Sequence, residues 1–198
     1  MNRRTIAGMS LRAGLLTVLA SILPLGCESA PPPRPSAAPV HAMHDMHGAH
    51  AADGPASEID ARLAEVARIH GGACPWAVAG YRMGAYALTT LGLPRGSFDL
   101  EVVHYTPHEV QYACIADGAS AATGASVGKL NLSLKDAAAP DTRTTYRRKT
   151  GGRSLTLRIT AGFAKRFLEV PRERLGDAGR EAMQLPDAEV FEVVPAAG

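Results

Sequence analysis

At 198 residues the chain has room for one folded domain with appendages. Hydrophobic residues make up 46% of it but aromatic residues only 5%, so a core has to be built from Ala, Val, Leu and Ile. The net charge of +2 gives no argument for nucleic acid or for an acidic partner.

Residues 1–27 read as an export signal. Arg3 and Arg4 form a charged start, and Leu15 to Leu25 is an apolar run too short for a spanning helix of ~20 residues. The run ends in Leu23-Pro24-Leu25-Gly26-Cys27, which resembles a bacterial lipobox with Cys27 as the acylated new N-terminus. Removing residues 1–26 takes away Arg3, Arg4 and Arg12 and no acid, so the mature charge becomes 2 − 3 = −1. The expected location is the periplasmic face of a bacterial membrane, or the soluble periplasm if Cys27 is not acylated. Residues 28–56, with Pro31, Pro32, Pro33, Pro35 and Pro39 among Ala and Ser, cannot bury a core and read as a disordered linker. Within them, His41, His44, His47 and His50 recur at a spacing of three, with Met43 and Met46 between. Imidazole and thioether together favour copper, nickel or another late transition metal, held weakly. The alternative is that a linker simply tolerates histidine.

The folded domain is expected over 57–198. Ser57-Glu58-Ile59-Asp60 resembles a capping box, and Ile59, Leu63, Val66 and Ile69 share one helical stripe that ends at Gly71-Gly72. Cys74 then caps a second helix, with Pro75 at its first position and Gly92 as its stop after Leu91. Within that helix Gly80 and Gly84 form a smooth groove, while Trp76 and Tyr81 either pack in the core or line a cavity. Strands are expected over Phe98–Tyr105 and Glu109–Ile115, turning at Thr106-Pro107-His108. A short helix of small residues follows over 117–124, capped by Asp117 and stopped by Gly124. Further strands are expected near 128–134, 143–149 and 153–160, the last two joined through Thr150-Gly151-Gly152. Helices at 161–169 and 172–183 and a last strand over 189–194 complete an α+β domain. Its sheet is mixed and mostly antiparallel, with the N-terminal helices packed on it.

Four residues make the leading site: His70, Cys74, Cys114 and Asp117. Thiolate, imidazole and carboxylate together suit a divalent transition metal, zinc first, and His70 stands four before Cys74, a spacing that closes a chelate across a turn. A helix N-terminus favours Cys74 as thiolate. Asp117 either completes the ligand set or orients a ligand from behind. Two other readings stay open, a Cys74–Cys114 disulfide in an oxidising compartment and a pair of inert thiols. Lys129 and Asn131 either face a ligand pocket, with Lys129 receiving a carboxylate, or serve a turn. A phosphate loop at Gly124–Lys129 fails, because three residues rather than four separate the glycines and Leu130 stands where Ser or Thr is needed. No Gly-x-Ser-x-Gly elbow surrounds Ser120, Ser126 or Ser133. Between Pro140 and Arg180, 11 Lys/Arg stand against 4 Asp/Glu, which marks either an anionic partner or a solvated face.

His70-Gly71-Gly72-Ala73-Cys74-Pro75, Gly80-Tyr81-Arg82-Met83-Gly84, Cys114-x-x-Asp117, Thr123-Gly124 and Gly128-Lys129-Leu130-Asn131-Leu132 occur in that order. Over roughly residues 58 to 160 this pattern resembles the FmdE family, the proteins associated with formylmethanofuran dehydrogenase. The chain departs from the family where Gly72 replaces a frequent His, Trp76 a Gly and Ala125 a Cys, and the expectation is a variant without the C-terminal zinc ribbon of some members. The resemblance implies a zinc-type site. It also implies a second function, an enzyme or enzyme component of that kind, and whether the chain is an enzyme is left open. A third is a disulfide-stapled ligand-binding module. The leading expectation is an exported, lipid-anchored metal-binding protein. Its partners would be a metal ion or small ligand, a membrane through the anchor and a second copy in a homodimer, with no nucleic acid.

Overall fold

The computed structural model describes residues 55–195. Cys27, the export segment and His41, His44, His47 and His50 lie outside the described residues, as does most of the 28–56 linker. Among the described residues, six α-helices and five strands follow one another as α1 (Pro55–His70), α2 (Pro75–Leu91), β1 (Leu100–Thr106), α3 (Val110–Thr123), β2 (Leu132–Asp136), β3 (Arg143–Arg148), β4 (Ser154–Ile159), α4 (Ala161–Phe167), α5 (Leu175–Gln184), α6 (Asp187–Val190) and β5 (Phe191–Val194). The sheet order is β2-β1-β3-β4-β5. Only β1 and β2 run parallel, because the helical crossover α3 joins them, and the other pairs are antiparallel. The domain is therefore α+β with a mixed, mostly antiparallel sheet.

Alternation along the strands sets which face is covered. On β1 Leu100, Val102 and His104 are buried; opposite them on β3, Tyr146 faces Val102 and Thr144 faces His104. The other face carries Glu101 ion-paired to Arg147 and the Arg143 guanidinium stacked 4.1 Å over Tyr105. Helices α2 and α3 pack against each other and reach the sheet, while α1 and α5 pack on that pair. Trp76, Phe163 and Phe167 continue the core toward α4, with Trp76 edge-on to Tyr112 at 5.0 Å.

The α2–α3 contact is backbone against backbone. A methyl group on Gly80 would lie 2.0 Å from the Ile115 carbonyl oxygen, and one on Gly118 would lie 1.8 Å from the Ala77 carbonyl oxygen. Only glycine admits this approach. The groove expected at Gly80 is thus occupied by α3.

Three sequence expectations are corrected. Glu109–Ile115 is not a strand: it is the first half of α3, whose N-cap is Glu109 with extended backbone. Val110, Tyr112 and Ile115 have strand preference, but Cys114, Ile115, Gly118, Ala119 and Ala122 bury one helical face against α2, and packing overrides propensity. Asp117 consequently sits mid-helix and caps nothing. Ser57 lies inside α1, which starts at Pro55, so it is not the cap either. Elsewhere the stops at Gly92 and Gly124 and the N-cap at Cys74 stand as expected. The β3–β4 turn places Gly151 and Gly152 both at positive φ.

Candidate metal centre

Three segments meet at one end of the α2–α3 pair. Helix α1 ends at His70, and Gly71 (φ 87°) reverses the chain so that Cys74 starts α2. Proline at the first position of α2 fixes the entry of the chain, and Cys74 stands just ahead of it with extended backbone. Cys114 comes from the second turn of α3, delivered by the glycine-bedded contact. His70 Nε2 lies 3.5 Å from Cys74 Sγ, and the donor atoms of His70, Cys74 and Cys114 all fall within 4.8 Å of one another. Both cysteines are free.

This donor set can be tested against zinc. With Zn–S of about 2.3 Å and Zn–N of about 2.0–2.1 Å, tetrahedral ligands stand about 3.6 Å apart for N···S and about 3.8 Å for S···S. The observed 3.5 Å between His70 Nε2 and Cys74 Sγ matches the first value. The 4.8 Å ceiling on the group leaves at most about 1 Å of adjustment to the second. Two sulfurs and a nitrogen also match zinc's borderline-soft preference. The residues fit the metal.

Asp117 is placed behind the ligand set. Its Oδ2 accepts a hydrogen bond from His70 Nδ1 at 2.9 Å, leaving Nε2 as the nitrogen that faces Cys74. That fixes both the ring's orientation and its tautomer.

The electrostatics agree with a thiolate-bearing site. The Cys74 thiol is pulled down to about 6, chiefly by the hydrogen bond from Cys114, against the opposing effect of burial and with help from the Ala77 amide and His70. Cys114 is pushed up, first by that same bond to Cys74 and then by burial. For His70, burial works against the imidazolium, but the Asp117 hydrogen bond and the charge of Cys74 outweigh it and raise the pKa. In the metal-free state the Cys74 thiolate is thus favoured by the Cys114 thiol on one side and by His70 on the other.

The three donors border a cavity of about 360 Å³, walled by Trp76, Val110, Gln111, Phe167, Leu168, Val170 and Leu175. Trp76 Nε1 donates to the Phe167 carbonyl at 3.0 Å and Gln111 Nε2 to the Leu168 carbonyl at 2.9 Å, so the end of α4 is tied down as a wall. Trp76 therefore both packs and lines the cavity, whereas the Tyr81 hydroxyl donates to Glu65. Sequence reasoning missed Gln111 and the walls from 167 to 175. The one local signal was the apolar cluster at the end of α4. A larger cavity, about 440 Å³, runs past Pro140, Thr142, Arg158 and Glu192, but its Arg158 and Glu192 are spent on each other at 2.6 Å. It offers no group of metal donors.

Lys129 and Asn131 are not brought to the centre. Asn131 is 2% exposed, accepting from the Ser126 amide and donating to the Leu100 carbonyl, which locks the loop onto β1. Lys129 Nζ donates to the Gly124 carbonyl at 2.8 Å. The turn alternative describes both. His108 pairs with Asp136 on the surface at 2.8 Å. His104 is fully buried between Thr144 Oγ1 and the Tyr112 carbonyl, and burial lowers its pKa to about 4.

Residues 69–192 match the family model described as FmdE, molybdenum formylmethanofuran dehydrogenase operon. The chain belongs to the FmdE family. No curated protein matches it. The match begins one residue before His70, so the FmdE region contains the whole candidate centre and all five strands but β5's last two residues. The motif Gly80-Tyr81-Arg82-Met83-Gly84 serves the fold: Met83 is fully buried and Arg82 Nη1 donates to the Ala182 carbonyl at 2.8 Å.

Proposed function

We propose that this chain is an exported, lipid-anchored metal-binding protein whose FmdE domain holds a zinc-type ion on His70, Cys74 and Cys114. The observation that carries the reading is the convergence of those three donor atoms within 4.8 Å at the mouth of a cavity. Asp117 orients the histidine and stays out of the ligand set. Two thiolates and a neutral imidazole balance a divalent ion, and a bound zinc supplies Lewis acidity at a position open to a small ligand. Handling of the metal, or of a small ligand linked to it, follows from that openness, because purely structural zinc sites are closed by four protein ligands. Metal delivery is supported by the His41–His50 arm, whose imidazoles and thioethers suit copper or nickel, and export by Arg3, Arg4 and the lipobox-like Cys27.

One fractionation experiment tests both halves. Protein recovered from the membrane fraction carries about one zinc per chain, and Cys27→Ser moves it to the soluble periplasmic fraction with its zinc retained. A Cys27→Ser protein that stays with the membrane contradicts the anchor. Zinc-free protein from either fraction contradicts the metal.

A second reading, an enzyme or enzyme component of the formylmethanofuran dehydrogenase kind, is supported by one observation, the largely apolar cavity beside the three donors. Turnover of carbonyl or formyl compounds by the zinc-loaded protein decides for it.

A further inference from the structure

We propose that the cavity beside His70, Cys74 and Cys114 takes a small ligand with a neutral nitrogen or sulfur donor at one end and an apolar body behind it. The inference rests on the metal reading above and goes further by naming the ligand's chemistry. A tetrahedral ion with three protein donors has one position left, and the cavity borders the same three residues that supply the donors. At ~30 Å³ for a water-sized group, its 360 Å³ has room for about a dozen such groups.

Charge selects the head. A divalent ion with two thiolates and a neutral imidazole has a net charge of 2 − 2 = 0. An anionic head would bring the site to −1, with Asp117 adding a further negative charge behind His70. Among the described residues no Lys or Arg lines the cavity, and Lys129 is bonded to the Gly124 carbonyl. An uncompensated charge in an apolar cavity is costly. A carboxylate is therefore disfavoured, and an imidazole-type nitrogen or a thioether, which adds no charge, is preferred.

The walls select the body. Trp76, Val110, Phe167, Leu168, Val170 and Leu175 are apolar, and the N–H groups of Trp76 and Gln111 are bonded to the carbonyls of Phe167 and Leu168. The apolar lining continues to the surface, where Val110 is 80% exposed and Leu168 45% exposed. Side chains that exposed contribute little to the core, whereas an apolar ligand would cover them.

The test uses the full chain loaded with Co²⁺, whose thiolate absorption in the near ultraviolet and visible reports the centre and not the thiolate-free histidine arm. Imidazole, 1-methylimidazole, 1-butylimidazole and hexanoate are titrated in turn. The inference predicts saturable spectral shifts, affinity rising up to about fourfold per added methylene, and hexanoate at least tenfold weaker than 1-butylimidazole. Leu168→Glu, at the half-exposed rim, weakens 1-butylimidazole at least fivefold. Hexanoate binding as tightly as 1-butylimidazole, no dependence on chain length, or an unaltered Leu168→Glu overturns the inference while the cobalt spectrum keeps the metal centre. Absence of cobalt–thiolate absorption removes the metal reading, and the inference falls with it.

Discussion

Asp117 holds the nitrogen of His70 that faces away from Cys74, so its contribution to metal affinity is indirect. Replacing such a partner typically costs 10–100-fold in affinity without abolishing binding. Asp117→Asn should therefore keep one equivalent of zinc but lose it to a competing chelator at roughly tenfold lower chelator activity; complete loss of binding would make Asp117 a ligand. His104 gives a second prediction, independent of the metal. Its folded-state pKa is depressed to about 4 from an ordinary 6.5 by burial. The unfolded chain then binds the proton more readily between those values, so stability is fully present above pH 6.5 and falls as pH drops toward 4. The full shift corresponds to about 3 kcal/mol. Denaturant melts at pH 7, 5.5 and 4 should show that decline, and His104→Asn should flatten it whatever it does to the baseline. An equal slope in the variant would assign the decline to other groups.

At the scale of elements, the distance between the two cysteines is set by how closely α2 and α3 approach. Gly80 and Gly118 allow that approach, and Gly118 lies one turn beyond Cys114. Gly118→Ala must push the helices apart at the Ala77 carbonyl, since its methyl would sit 1.8 Å from that oxygen. Overpacking of this kind costs about 1–3 kcal/mol and sometimes more. The variant should lose several degrees of Tm and, where still folded, bind zinc more weakly; wild-type stability and affinity would contradict the helix contact as the positioning device. Part of the candidate donor group was legible in the sequence because it is local: His70 precedes Cys74 by four residues at a helix–turn–helix junction, whereas Cys114, forty residues on, was joined to them through the ordered motifs that carry the family resemblance. The state of residues 109–115 was not legible, because Val110, Tyr112 and Ile115 carry strand preference and only the distant Ala77–Gly80 backbone turns them into a helix. The same strand preference made Asp117 look like a cap. The cavity walls escaped because they come from residues 167–175, about a hundred positions after His70.

For the whole molecule, six of the eleven basic residues between Pro140 and Arg180 stand in ion pairs, Arg174 with Asp177 inside the run and five with acids outside it. Arg147 meets Glu101, Arg148 meets Asp99, Arg158 meets Glu192, Arg166 meets Glu181, and Arg180 meets Asp60. Acids scattered through the sequence thus offset part of a basic run that looked one-sided when read linearly. What remains distinctive is a thiol-and-imidazole centre in a domain expected to be tethered behind a histidine-rich arm. The arm complicates metal counting, so the decisive measurement removes it. Elemental analysis and calorimetry are carried out on the chain with His41→Ala, His44→Ala, His47→Ala and His50→Ala, alone and with Cys74→Ser or Cys114→Ser added. The account predicts about one zinc per chain, lost with either cysteine, and a Tm that chelator lowers by several degrees, since a ligand selective for the folded state stabilises it. Metal-free protein with no titratable thiols and a Tm indifferent to chelator would instead make Cys74 and Cys114 a disulfide and contradict the metal centre.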